Sequence, residues 1–308
     1  MPGLGLGALF LGFRGGWGHM AAMEPQPTGT IEREAPLIRR LLAPNPSAFT
    51  YTGTQVFIVG EGEVAVIDPG PDDASHVEAL VRALAGERVT AILCTHTHRD
   101  HSPASRALQA ATGAPIVGCA PLSLTDEGIR SDESFDPDYQ PDRVLREGES
   151  VSGSGWTLEA VATPGHTSNH LCFAFPQAQA LFSGDHVMGW STSIVAPPDG
   201  DMGAYMASLK KLLPRNERVY YPAHGPEIAD PQAHVRRLIA HRQAREGQVL
   251  AQLNAGEARI EAMVEGMYRD VDPRLHPAAA LSVLAHLLDL EKRGEVVRQG
   301  QFWALARA

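Results

Sequence analysis

The stretch Thr95-His-Thr-His-Arg-Asp-His-Ser102 concentrates side chains that can hold a metal ion. It follows Val89-Thr-Ala-Ile-Leu-Cys94, a β-branched apolar run that predicts a buried strand. The polar cluster therefore begins where a strand runs out into a loop. A loop lets several side chains converge on one point, whereas a helix would spread them around its circumference. The candidates are His96, His98, Asp100 and His101. Two interpretations stand at this point, a metal site and a solvated polar turn.

Composition predicts a globular chain that can bury a full core, since 44% of its 308 residues are hydrophobic. The formal net charge is −10. Residues 231–308 hold 11 Lys and Arg against 9 Asp and Glu, or +2, so residues 1–230 carry −12. The acidic body argues against nonspecific nucleic-acid binding by the whole chain, but a local basic face on the tail stays compatible with it. Three cysteines without a C-x-x-C spacing indicate a reducing compartment, and we expect a cytoplasmic protein.

The chain divides into three predicted segments. Residues 1–30 form an extension that we expect to be disordered; translation from Met20 or Met23 is an alternative origin for its first part. Residues 31–230 form the main domain, and residues 231–308 a smaller one. No run of about 20 apolar residues is present, so no membrane span is predicted.

Within the main domain, predicted strands alternate with helices, which favours an α/β layered core. Strands are predicted over 55–59, 64–68, 89–95, 115–118, 144–151, 156–162, 171–175, 180–183 and 218–221, and helices over 73–84, 103–111 and 203–213. Residues 24–46 are interpreted as a Pro-rich stretch and residues 126–142 as an acidic surface excursion. The tail has three helical segments, over 232–253, 257–268 and 277–292, and then two short β-like pieces. This is a winged-helix-like pattern.

Three further metal-competent residues come just after predicted strands. They are His166 in TPGHTSNH, Asp185 in LFSGDHVM and His224 in YYPAHGPE. Adjacent glycines and prolines suit sharp chain exits that aim side chains inward. Imidazole nitrogen and carboxylate oxygen are good zinc ligands, so the combined pattern favours a metal site over a solvated turn.

The H-x-H-x-D-H motif with its three later partners resembles the metallo-β-lactamase-fold hydrolases, over residues 50–225. The resemblance implies a four-layer αβ/βα sandwich. It also implies that His96, His98 and His166 bind one metal, that Asp100, His101 and His224 bind a second, and that Asp185 bridges both. The stretch 184–212 and the helical tail resemble the branch typified by β-lactamase-like protein 2, whose members append a winged-helix-like domain.

The implied cofactors are two Zn²⁺ ions, with manganese or iron as alternatives. Such ions can share a hydroxide for attack on the substrate, with Asp100 as the catalytic residue that orients it or carries its proton. Asp68 in VIDPG matches an acidic position of the family that fixes the orientation of a metal-binding side chain by a hydrogen bond. The alternative is that Asp68 is only a turn residue before Pro-Gly.

The leading function is therefore a dinuclear zinc hydrolase, with cleavage of single-stranded RNA as its most specific version. Four arginines in the tail support the RNA-cleavage hypothesis, because they could form a basic surface on one helix. A solvated helix face also explains them. They are Arg236, Arg237, Arg242 and Arg245. Residues 190–201 are expected to form a loop that overhangs the metals. Its Trp190 ring has two interpretations: it stacks on a nucleotide base, or it packs the loop against the protein. The hydroxyl groups of Ser191, Thr192 and Ser193 lie beside it in the sequence. The alternatives are a glyoxalase II-like thioesterase acting on an acyl ester or thioester, an iron-dependent persulfide dioxygenase-like oxidoreductase, and a non-catalytic binding module. The oligomeric state is left open.

Overall fold

The computed structural model describes residues 26–122, 135–256, 258–269, 273 and 276–306. Residues 1–25 of the predicted extension, and most of the predicted excursion, lie outside this range. In the described helices, no segment combines the length and apolar character that a bilayer crossing requires.

A seven-stranded mixed sheet forms one half of the main domain. Its first four strands are antiparallel and its last three follow in parallel, in the spatial order of the chain. The strands are β1 (Ile31–Ala35), β2 (Ile38–Leu42), β3 (Gln55–Glu61), β4 (Glu63–Ile67), β5 (Arg88–Cys94), β6 (Ile116–Gly118) and β7 (Arg143–Val144). Helices α1 (Ala74–Ala83) and α2 (Ala104–Thr112) provide the crossovers between the parallel strands β4, β5 and β6.

A five-stranded sheet forms the other half, in the order β12-β11-β10-β9-β8. Its strands are β8 (Ser150–Gly153), β9 (Trp156–Ala162), β10 (Leu171–Phe175), β11 (Ala180–Gly184) and β12 (Val219–Pro222). Helix α3 (Met202–Leu212) connects β11 to β12, which run parallel. The tail contains α4 (Pro231–Asn254), α5 (Ile260–Met267), α6 (His276–Lys292) and the hairpin of β13 (Val296–Gln299) and β14 (Phe302–Leu305).

The two sheets pack face to face through a shared apolar core. Phe57 of β3 lies 5.0 Å from Phe182 of β11 and 5.6 Å from Tyr221 of β12, measured between ring centroids. A second core covers the outer face of the five-stranded sheet with α3 and the first half of α4. The predicted αβ/βα sandwich with a winged-helix-like tail is therefore confirmed.

Helix α4 contributes to two cores. Val235 and Leu238 pack with α3 against the five-stranded sheet, whereas Val249 and Leu253 pack with α5, α6 and the terminal hairpin. Asp230 caps the helix by accepting a hydrogen bond from the backbone of Ala233. The domain boundary at residues 230 and 231 stays a prediction, and a chain that ended there would uncover the apolar surface beneath Val235 and Leu238.

The structure differs from the sequence interpretation at two places in the sheets. The stretch 24–46 contains β1 and β2 rather than only a Pro-rich connection. The predicted strand 144–151 is two short strands in different sheets, because the chain turns at Gly148, whose φ of +76° suits glycine.

Trp156 closes one edge of the space between the sheets. Its indole N–H donates to the carbonyl oxygen of Glu63 at 2.8 Å, and its ring fills the space beside Gly60 and Gly153, where an added Cβ would lie about 2.5 Å from it. We predict that Trp156→Ala lowers the free energy of unfolding by about 3–5 kcal/mol because it leaves a cavity in the core. Denaturant unfolding measures this, with the exposed Phe302→Ala as a control that should cost less than about 0.5 kcal/mol. A loss below about 1 kcal/mol for Trp156→Ala would contradict the assigned role.

Candidate metal centre

The chain brings all seven sequence-predicted metal ligands to one edge of the sandwich. The four residues of the opening stretch follow β5, His166 follows β9, Asp185 follows β11 and His224 follows β12. Their ligating atoms form two groups, in each of which the atoms lie within 4.8 Å of one another. The first group is His96, His98, His166 and Asp185, and the second is Asp100, His101 and His224.

In the first group, three imidazole nitrogens face one another. His98 Nδ1 lies 2.9 Å from His96 Nε2 and 3.1 Å from His166 Nε2. Burial, followed by the neighbouring His166, lowers the pKa of His98 to about 3. Burial, followed by the neighbouring His101, also lowers the pKa of His96 well below its usual value. His96 and His98 are therefore neutral imidazoles with available lone pairs, the form that binds a metal ion.

In the second group, carboxylates raise the pKa of a histidine against the lowering effect of burial. Asp100 Oδ2 lies 3.3 Å from His101 Nε2 and 3.2 Å from His224 Nε2. Although burial opposes it, Asp185 and Asp100 raise the pKa of His224 to about 10. The carboxylates thus create a negative potential that favours a positive charge within this group.

Asp185 lies between the two groups. Its Oδ2 is 3.6 Å from His166 Nε2 of the first group, and its Oδ1 is 3.3 Å from His224 Nε2 of the second. His170 holds the backbone of this residue, since the amide of Asp185 donates to His170 Nε2 at 3.2 Å. Gly184 permits the close approach, because a Cβ there would meet His170 Nε2 at 2.6 Å and its φ is +51°.

Asp68 fixes the loop that carries the opening motif. Its carboxylate accepts hydrogen bonds from the backbone amide and the hydroxyl of Thr95, both at 2.7 Å. The same carboxylate faces His101 Nδ1 at 3.0 Å. The structure therefore places Asp68 behind His101, where it orients the ring toward Asp100 and Asp185.

Gln55, which braces the turn of His224, was missed by sequence reasoning. Its side-chain amide donates to the carbonyl oxygens of Pro222 at 2.9 Å and Gly225 at 2.7 Å, and its oxygen accepts from Arg40. The residues around Gln55 in the sequence do not indicate these contacts, because the partners lie some 170 positions further along the chain.

The predicted substrate loop, residues 190–201, lies against the centre. The carbonyl oxygen of Ile194 accepts from His166 Nδ1 at 2.6 Å. Trp190 stacks on Tyr51 with ring centroids 4.9 Å apart, which favours the packing interpretation of this ring. The Ser193 hydroxyl is buried and donates to the carbonyl oxygen of His186 at 2.8 Å, and the Ser191 hydroxyl faces the neighbouring carbonyl oxygen of Thr192.

Arg242 of α4 is buried, whereas the sequence interpretation placed it on an exposed helix face with the other tail arginines. Its side chain donates to the carbonyl oxygen of Ser193 and lies 5.3 Å over the ring of Tyr205. Arg236 and Arg237 are exposed, whereas Arg245 is half-buried and lies over the ring of Tyr268. The four arginines therefore do not form one solvated or RNA-facing surface.

We predict that Arg242→Met loosens the loop, because it removes a charge-assisted hydrogen bond from a buried carbonyl. The expected loss in unfolding free energy is about 1.5–3 kcal/mol. Hydrogen exchange of the amides in residues 193–201 should accelerate. Arg236→Met on the exposed face of the same helix is the matched control and should leave both measurements near wild type; equal effects of the two variants would refute the role of Arg242.

Comparison with known proteins supplies two family matches. Residues 50–224 match the metallo-beta-lactamase superfamily, and residues 260–303 match the beta-lactamase associated winged helix domain. The chain is 34% identical to an atrochrysone carboxyl ACP thioesterase of a Cryptosporiopsis species, over 78% of this chain and 70% of the relative. It is 30% identical to the beta-lactamase-like protein 2 homolog of Drosophila melanogaster, over 86% of this chain and 91% of the relative. A metallo-beta-lactamase family protein of Thermus thermophilus has a similar structure, with a TM-score of 0.72 and 25% identity over 89% of this chain and all of that one.

Proposed function

This chain belongs to the metallo-beta-lactamase superfamily and is a hydrolase, and on that premise we propose that it is a dinuclear metal-dependent hydrolase of acyl thioesters. The observation that carries the metal part is the pair of adjoining ligand groups with Asp185 between them. The thioester part is supported by relatives named as thioesterases.

The donor set fits two divalent cations. Asp185 Oδ1 and His101 Nε2 are buried and make no hydrogen bond among the described residues, although each lies near an oppositely charged group. Buried polar atoms without partners are costly, and a bound cation would accept their lone pairs. Five imidazoles and two carboxylates suit zinc, and they also suit manganese or iron.

We propose that His96, His98 and His166 hold one ion, that Asp100, His101 and His224 hold the other, and that Asp185 contacts both. When bound, the two ions supply Lewis acidity and a hydroxide formed near neutral pH. Thioester hydrolysis then adds a water oxygen to the carbonyl carbon, breaks the C–S bond, and releases a carboxylic acid and a protonated thiol.

Asp100 is the proposed catalytic residue. Thr54, His101 and His224 all face its Oδ2, so Oδ1 is the atom proposed to take the proton from the attacking water. Its side chain is 26% exposed, against 11% for Asp185, which makes it the more accessible of these two carboxylates. Asp68 keeps the adjacent His101 ring in orientation.

The metal content of wild type and of one variant tests the proposed ligand set. We expect two metal ions per wild-type chain by mass spectrometry, and at most one in Asp185→Asn, with turnover below about 1% of wild type because both groups lose their shared ligand. Asp138→Asn, which removes an exposed carboxylate, should retain two ions and full activity. A single ion in wild type together with an active His224→Ala variant would contradict the proposal and favour the iron-dependent dioxygenase alternative.

Asp68→Asn tests the orienting contact. The amide cannot accept from Thr95 and His101 as the carboxylate does, so we expect the affinity for the ion proposed to lie beside Asp100, His101 and His224 to fall roughly 10- to 100-fold. Competition with a chromophoric chelator measures this affinity. Asp72→Asn, an exposed aspartate nearby, is the control. Unchanged affinity in Asp68→Asn would leave Asp68 as a turn residue only.

Cleavage of single-stranded RNA is a second candidate function, favoured by the exposed arginines Arg236 and Arg237 on α4. The stacked position of Trp190 and the buried position of Arg242 supply less support for it.

A panel of a thioester, a lactam and an unstructured oligoribonucleotide, assayed with the metal-loaded chain, separates the candidates. We expect metal-dependent thioester hydrolysis. RNA cleavage that falls about tenfold in Trp190→Ala at unchanged metal content, without thioester hydrolysis, would establish the RNA alternative instead.

A further inference from the structure

A cavity of about 960 Å³ lies between the 190–201 loop and the tail. The loop contributes Ala196, Pro197 and Pro198 to one wall, and the opposite wall is formed by α6 with the beginning of α5. The volume is at the upper end of the range for small-molecule pockets, roughly 300–1,000 Å³. None of the seven metal-competent residues lines it, so the cavity is not formed by the candidate ligands themselves.

The loop connects the cavity with the metal centre. Ile194 holds His166 through its carbonyl oxygen, and two residues later Ala196 lines the cavity. At the far end of the loop, the amide of Asp201 donates to the carbonyl oxygen of Gly165, which precedes His166. One side of this loop therefore braces a proposed metal ligand while the other side forms a cavity wall.

The α6 wall of the cavity carries a row of leucines. Leu281, Leu284 and Leu288 recur at a spacing of three and four residues, so they lie on one side of the helix. Leu281 is 40% exposed, and Ile260 and Trp303 extend the apolar wall. A row of accessible leucines facing a cavity loses contact with water when an apolar group enters, which favours binding of such a group.

The charged residues of the lining balance one another. Among the described residues it contains three basic side chains, Arg259, Lys292 and Arg298, and three acidic ones, Asp201, Glu261 and Asp289. Lys292 pairs with Asp201 at 2.5 Å and Arg259 with Glu261 at 3.4 Å. Binding of a polyanion draws on unneutralised positive charge, so a formally neutral lining favours an uncharged apolar ligand over a nucleic-acid backbone.

We propose that this cavity binds the acyl group of the substrate. The proposal rests on the thioesterase function proposed above and adds a substrate class to it, namely thioesters whose acyl chain is long enough to reach from the metal centre past the loop to the α6 leucines. The cavity takes no part in bond breaking, and its contribution is burial of apolar surface.

The experiment compares octanoyl and acetyl thioesters of N-acetylcysteamine, hydrolysed by the metal-loaded full chain. We expect kcat/KM to be at least about tenfold higher for octanoyl in wild type, because each buried methylene contributes favourable transfer free energy. Leu281→Glu should lower the octanoyl-to-acetyl ratio by about tenfold, since it places a charge against the chain. Val297→Glu is the matched control, because Val297 is 39% exposed and lies outside the cavity lining; it should keep the wild-type ratio.

Binding of the non-hydrolysable thioether S-octyl-N-acetylcysteamine, measured by calorimetry, provides a readout that does not depend on turnover. We expect Leu281→Glu and Leu288→Glu each to weaken it about tenfold and Val297→Glu to leave it unchanged.

The outcomes separate this proposal from the thioesterase function. Hydrolysis of both thioesters with a ratio near one, and the same thioether affinity in all variants, would overturn the cavity assignment and leave the function intact. Absence of thioester hydrolysis with Leu281-dependent thioether binding would overturn the function and retain an apolar site. Binding of an unstructured oligoribonucleotide that is lost in Leu281→Glu, with no thioether binding, would assign the cavity to RNA and overturn the proposal.

Discussion

The contact of Asp185 with His101, His166 and His224 is the constraint on which the rest of the structure depends. It brings together side chains from separate loops in a space from which water is largely excluded. Groups of this kind are stable inside a protein only when their charges and lone pairs are matched. The surrounding hydrogen bonds of Asp68, Gln55 and His170 hold the loops in place, and the two sheets supply the rigid edge from which the loops emerge.

The tail takes part in this arrangement. Arg242 reaches from α4 to the carbonyl oxygen of Ser193, next to the residue that holds His166. The same helix closes the core over the five-stranded sheet with Val235 and Leu238. The tail therefore does two things at once: it forms one wall of the cavity and it supports the loop between cavity and metal centre. The proposed acyl site in this cavity therefore implies that a change in the tail alters substrate choice without touching a proposed metal ligand.

Local patterns in the sequence predicted much of the fold and the convergence of the seven candidate ligands at one edge of it. Runs such as Gln55–Val59 and Val89–Cys94 are apolar and β-branched, and the candidate ligands stand directly after strands, so both features could be recognised without a structure. Strand β1 was missed because its Glu-Arg-Glu run lies at the edge of the sheet, where a strand needs little apolar surface. Strand β2 was missed because Arg39 and Arg40 interrupt its short apolar pattern. The burial of Arg242 could not be predicted either, because it depends on a carbonyl group 49 positions away. Long-range contacts of this kind leave no periodic signal in a single sequence.

Anomalous X-ray diffraction at the absorption edge of the bound metal tests the central claim most directly, because it locates ions without reference to activity. We predict two peaks, one beside His96, His98 and His166 and one beside Asp100, His101 and His224, with Asp185 between them. A single peak at the first group in fully loaded crystals, with His101 and His224 still facing Asp185 directly, would contradict that claim.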